Sequence, residues 1–312
     1  MGNIQTNFPP FLFSSQKKKS NADIGKKYFI RGNTKFRTND YTGAKLCYRK
    51  ALDALQGLSD TMVSETATAL SNIACLDYTE GRFEEAKLLF AKALRMHRDS
   101  LSEEKKEDEE YKDIEVSSIE SLLLSIKQDS LNRVNRNSKQ DLVVEALTEH
   151  RNIDTVIADT MNNMAACFEA QGSYNEAKRF YEESLQLREL IYGPRGAKVA
   201  ESLQNLATIN EKQGHLVESE IIYKEALSIF MEKLGSSSRE VCTVYNNLGL
   251  LYNAMGRMDD AESCLTKSLE SLALQEESEP PYCLSDIAAT KGNLAYVITK
   301  RESLKMTEMG IL

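Results

Sequence analysis

Five asparagines, Asn72, Asn163, Asn205, Asn247 and Asn293, occupy one place in a recurring pattern, and Asn162, Gln204 and Asn246 stand immediately before three of them. A side-chain amide both donates and accepts, which suits the main chain of an extended peptide whatever its side chains. The chemistry these residues can do is therefore recognition. Bond-making finds no such support. There is no G-x-S-x-G elbow, no H-E-x-x-H and no G-x-x-x-x-G-K-[ST], and "GPRGAK" at 193–198 is too short to be that phosphate loop. His97, His150 and His215 are isolated in sequence and are expected on the surface. The six cysteines, Cys47, Cys75, Cys167, Cys242, Cys264 and Cys283, are scattered without a CxxC pair, as reduced cytosolic packing thiols would be. No catalytic residue, metal site or cofactor is expected.

The elements that must carry the amides follow from the register. Aligning copies on their small residues starts them at Gly25, Ala67, Ala158, Ala200 and Cys242, with a partial copy at Ala288. Positions 4, 7, 8 and 11 of a copy make an i, i+3, i+4, i+7 stripe, for example Met161, Met164, Ala165 and Phe168, so the first half of each copy is an amphipathic helix. Position 15 holds Asn39, Gly81, Gly172, Gly214 and Gly256, residues that enter the left-handed conformation closing a helix at least cost. A second helix follows, with small residues at position 20 (Ala44, Ala86, Ala177, Ser219, Ala261) and position 27 (Ala51, Ala93, Ser184, Ala226, Ser268). Between them, position 24 is bulky: Tyr48, Phe90, Tyr181, Tyr223 and Leu265. Small groups let helix axes approach and a large one fills the gap.

With small residues at 8, 20 and 27 and a bulky one at 24, these units resemble tetratricopeptide repeats. The unit of about 42 residues, with "NNMA", "QGSYNEA" and the linker "IYGPRGAKVA", is similar to those of kinesin light chains. The resemblance implies an all-α right-handed superhelix, an α-solenoid of helix-turn-helix repeats. Positions 2, 5, 6, 9 and 12 of the first helices would line its concave wall. It also implies that the asparagine at position 6 holds peptide main chain. The alternative reading of the amides is contact between neighbouring helices. The two-carboxylate clamp of chaperone-binding members is matched by Asn33 and Asn72 but not by Phe29, Asp159 or Asn163. No long heptad segment precedes the repeats, so a motor subunit is not expected.

The net charge of −8 disfavours nucleic acid as a partner, and no apolar run approaches the roughly 20 residues that span a bilayer. Residues 1–20 read as a disordered leader. Its "MGNIQT" fits the myristoylation pattern at Gly2, and with Lys17, Lys18 and Lys19 would allow peripheral membrane association. Residues 21–101 hold repeats 1 and 2. Residues 102–157 hold an acidic linker and a degenerate repeat, with a stripe at Ile119, Leu122, Leu123 and Ile126 and "QDLVVEALTEH" ending as a second helix does. Repeats 3 to 5 span 158–284, and 285–312 is a partial repeat or capping helix. The expected function is a non-catalytic, cytoplasmic scaffold or adaptor, membrane-tethered if Gly2 is acylated, that binds an extended peptide or partner helix in its groove. The alternatives are a structural subunit using its convex face or open end, or a kinesin light chain-like cargo adaptor.

Overall fold

A computed structural model describes residues 10–56, 63–101, 144–276 and 284–308. All the regular structure among them is α-helical. Gly2, the acidic segment at 102–115, the stripe at Ile119–Ile126 and Cys283 lie outside the described residues.

The chain divides into two units, Met1–Ser173 and Tyr174–Leu312. The first contains α1 (Pro10–Arg37), α2 (Tyr41–Leu55), α3 (Val63–Thr79), α4 (Phe83–Leu101) and α5 (Val144–Ala170). Each helix packs on the next, α4 directly on α5, and α3 also touches α1 and α5. The second contains α6 (Tyr174–Tyr192), α7 (Ala197–Lys212), α8 (Leu216–Leu234), α9 (Arg239–Ala254), α10 (Met258–Glu276) and α11 (Leu284–Glu308), again packed in succession. Val144 to His150, expected to close a second helix, are instead the opening turns of α5, which continues unbroken into the third copy.

One local device turns the chain back in all five copies. Asn39, Gly81, Gly172, Gly214 and Gly256 all have positive φ, between 60° and 84°. The next amide then reaches back to the carbonyl at position 11: Asp40 to Lys35, Arg82 to Asp77, Ser173 to Phe168, His215 to Asn210 and Arg257 to Tyr252, at 2.8–2.9 Å. This is a Schellman closure, which satisfies carbonyls that the helix end would otherwise leave without a donor.

The small and bulky positions do what their sizes require. Ala44, Ala86, Ala177, Ser219 and Ala261 are fully buried, as are their position-27 counterparts, and the position-24 side chains are at most 2% exposed. Burying one such large side chain stabilises by about 1.5–3 kcal/mol. The approach is closest where position 8 is glycine: a methyl group built on Gly249 would meet Leu265 Cγ at 2.6 Å, and one on Gly32 would meet the Tyr48 ring at the same distance. In contrast, a methyl group on Gly292, midway along α11, would meet nothing within 4 Å.

The same substitution should therefore have opposite signs at two glycines. Gly249→Ala is expected to lose about 1 kcal/mol net, because overpacking outweighs the gain in helix propensity. Gly292→Ala is expected to gain about 0.5–1 kcal/mol, since only the propensity changes there. Urea midpoints at constant m-value measure both, and a stabilised Gly249→Ala would contradict the packing described.

Candidate amide face and the joints behind it

The amides stand on the first helices of their hairpins: Asn72 on α3, Asn162 and Asn163 on α5, Gln204 and Asn205 on α7, Asn246 and Asn247 on α9, and Asn293 on α11. All eight are half-buried. Within the first unit, Asn72 donates through Nδ2 to Asn33 Oδ1 at 3.4 Å, and Asn163 Nδ2 points at Cys75 Sγ at 3.5 Å. Within the second, Asn293 Nδ2 donates to Asn246 Oδ1 at 3.0 Å. Each bond runs sideways to the neighbouring first helix, twice to its position 9. The amides thus couple adjacent hairpins, and each bond uses only part of an amide's capacity of two donated and two accepted hydrogen bonds. Asn246 also lines a cavity of about 270 Å³ with Arg239, Thr243, Asp286 and Thr290, and Arg239 pairs with Asp286 across it at 3.1 Å.

A second set of contacts was not anticipated from the sequence. Position 21, on a second helix, meets position 11 of the following first helix in the first four copies. Lys45 pairs with the buried Asp77, which Arg82 also engages. Lys87 lies over the Phe168 ring at 4.7 Å. Lys178 donates to Asn210 Oδ1 at 2.9 Å, and Tyr252 donates to Glu220 at 3.0 Å. Burial alone would raise the Glu220 pKa, but hydrogen bonds from Lys224 and Tyr252 outweigh it and hold the carboxyl below its usual range. The chemistry changes from ion pair to cation–π to amide to phenol, while the place stays the same. The signal was present as polar residues, Asp77 and Asn210, interrupting a stripe otherwise filled by Phe168 and Tyr252.

His97 corrects the expectation of three surface histidines. His215 is exposed beside the first turn of α8, whereas His97 is fully buried, and His150 is in α5 with its side chain outside the described residues. Its position, 31, is also buried in the other copies, as Leu55, Arg188, Phe230 and Leu272. Burial lowers the His97 pKa to about 4. Burial also pushes the Cys75 thiol up to about 11 and Cys167 up to about 12, so neither is a nucleophile at neutral pH. Among the described residues, no cluster of His, Cys, Asp or Glu could hold a metal ion. No helix among them is long and apolar enough to cross a membrane.

The family models agree with this geometry. Tetratricopeptide repeat models match residues 28–54, 66–104, 156–232 and 243–271, together more than half of the chain. The chain belongs to the tetratricopeptide repeat proteins. The structure of BtubC (BKLC) from P. vanneervenii superposes with a TM-score of 0.54 at 19% identity, over 95% of this chain and 87% of that one. A Podosopora anserina protein with nearly identical, kinesin light chain TPR-like repeats does so with a TM-score of 0.54 at 11% identity, over 83% of this chain and 98% of that one. No curated protein matches the sequence. At these identities the likeness of this tetratricopeptide protein to both structures establishes the fold alone.

The buried histidine sets a pH dependence. The unfolded chain takes up a proton near pH 6.5 and the folded chain resists to about 4, so between these values the unfolded state binds more protons. Stability should therefore be full above pH 6.5 and fall by about 3 kcal/mol as pH drops to about 4. His97→Leu, which installs the residue found at position 31 of the first and fifth copies, should flatten that part of the profile. Urea melts across the pH range measure it, and an unchanged slope would remove His97 as its cause.

Proposed function

We propose that this tetratricopeptide protein is a non-catalytic scaffold that takes an extended peptide segment of a partner protein along the first-helix amides of its second unit, Gln204, Asn205, Asn246, Asn247 and Asn293. The fold supports a protein-interaction role in general. The observation carrying the finer reading is that amides recur at one position on successive first helices and remain half-exposed. A peptide main chain offers alternating donors and acceptors that such amides meet without regard to side chains. Specificity then falls to neighbouring groups, such as the Arg239–Asp286 pair beside Asn246.

A structural-subunit reading is favoured by α11. Its positions 1 and 8, Ala288 and Ala295, are exposed, whereas the same positions elsewhere are buried under a second helix, as Ala200 and Ala207 are. Tyr296 on α11 is 59% exposed. This face could accept a helix from another protein. The two readings differ in which substitutions matter.

The test is selection from a displayed library of extended peptides with the purified full chain, followed by affinity measurement on the enriched sequences. Asn205→Ala combined with Asn247→Ala should weaken binding about tenfold or more, since each lost hydrogen bond is worth about 0.5–1.5 kcal/mol. Helicity and melting temperature should change little. Unchanged affinity in the double variant, together with loss in Ala295→Arg, would replace the groove reading with the end-face reading.

A further inference from the structure

Positions 3, 7 and 10 of a first helix face the preceding hairpin and are buried, as Ala69, Ile73 and Leu76 in the second copy and Val244, Leu248 and Leu251 in the fifth. In the first copy the same positions are Lys27, Arg31 and Thr34, and all three are exposed. The charge on this hairpin is one-sided. Eleven of the 39 Lys and Arg residues, but only three of the 47 Asp and Glu residues, fall within the first 56 positions of a chain whose net charge is −8. Lys26, Arg37, Arg49 and Lys50 are exposed on the same hairpin.

Exposed apolar groups are set among these charges. Ile30 is 65% exposed on α1 beside Lys27 and Arg31, and Ile24 is 43% exposed between Asp23 and Lys27. The helix itself begins at Pro10, so the backbone of Lys17, Lys18 and Lys19 belongs to the same rod. Lysine and arginine mixed with aliphatic groups on the outside of a helix is the chemistry of an interfacial element. The cations are attracted to anionic headgroups, at about 1 kcal/mol each near the surface, and the aliphatic groups enter the acyl boundary. A helix presenting its outer side also matches a broad surface better than it matches an inserted strand of peptide.

We infer that the outer face of α1, carrying Ile24, Lys27, Ile30 and Arg31, docks the protein peripherally on an anionic membrane surface. This docking does not depend on peptide binding at the amide face or on acylation of Gly2. The face recognises negative surface charge and lipid packing, and it holds the first unit at the bilayer through α1.

The experiment uses the full chain made in bacteria, which leave Gly2 unacylated, and sedimentation with vesicles. Vesicles of phosphatidylcholine with roughly a third phosphatidylserine should carry the protein down, whereas pure phosphatidylcholine vesicles should not, and raised salt should release it. Lys27→Glu with Arg31→Glu should cut partitioning by more than tenfold, at about fivefold for each charge removed and more for reversal. Ile30→Ser should cut it several-fold, and Lys267→Glu on α10 should leave it unchanged. Circular dichroism checks that every variant is folded. Failure of the wild-type chain to sediment overturns the proposal, as does sedimentation indifferent to the double reversal. Binding to soluble heparin that matches vesicle binding and ignores Ile30→Ser would reassign the face to an acidic macromolecule, which also overturns it.

Discussion

The close approach of two helix backbones within a hairpin is the condition that the remaining features require. It exists because position 8 is alanine or glycine, positions 20 and 27 are alanine or serine, and one large side chain at position 24 fills the space they leave. Gly249 under Leu265 and Gly32 under Tyr48 are the tightest cases, with no room for a methyl group. Once the spacing within a hairpin is set, so are the directions of its remaining faces. Positions 3, 7 and 10 turn to the preceding hairpin, and position 6 turns to the neighbouring first helices. Within each unit, the amides reach the neighbouring first helix because the small residues permit it.

The joints between hairpins show a different kind of constraint. Lys45 with Asp77, Lys87 with Phe168, Lys178 with Asn210 and Glu220 with Tyr252 occupy equivalent places with unrelated chemistry. A contact at the rim of an interface, where one partner keeps access to water, tolerates such exchange because each version recovers part of its desolvation cost locally. The interior positions have no such freedom. A lysine at position 20 would lack a partner, and a tyrosine at position 27 would lack space.

This difference explains what could be read from the sequence. Positions governed by volume repeat as residue types, so the hairpins, their Schellman turns and the burial at positions 20, 24 and 27 were all legible from Gly81, Ala86, Phe90 and Ala93 and their counterparts. The joints repeat as places with changing residue types, and their partners lie in different hairpins, so nothing in a single copy announces them. His97 was misjudged because histidine is commonly a surface residue; its spacing of four from Ala93 gave the better signal. The amides were legible as a recurring position, but not the sideways bonds to Asn33, Cys75 and Asn246, which depend on how neighbouring first helices lie side by side.

The direct packing of α4 on α5 gives the chain an uncommon kind of freedom. The helices meet as successive elements, although 42 residues separate Leu101 from Val144. The entropy of closing a connection grows only with the logarithm of its length, by about 0.6 kcal/mol per doubling. The joint of α4 and α5 is therefore a docking bay within the first unit. Sequence can be spliced in, shortened or exchanged there while the hairpins on either side keep their partners, so new recognition elements can be acquired without renegotiating the architecture that carries them.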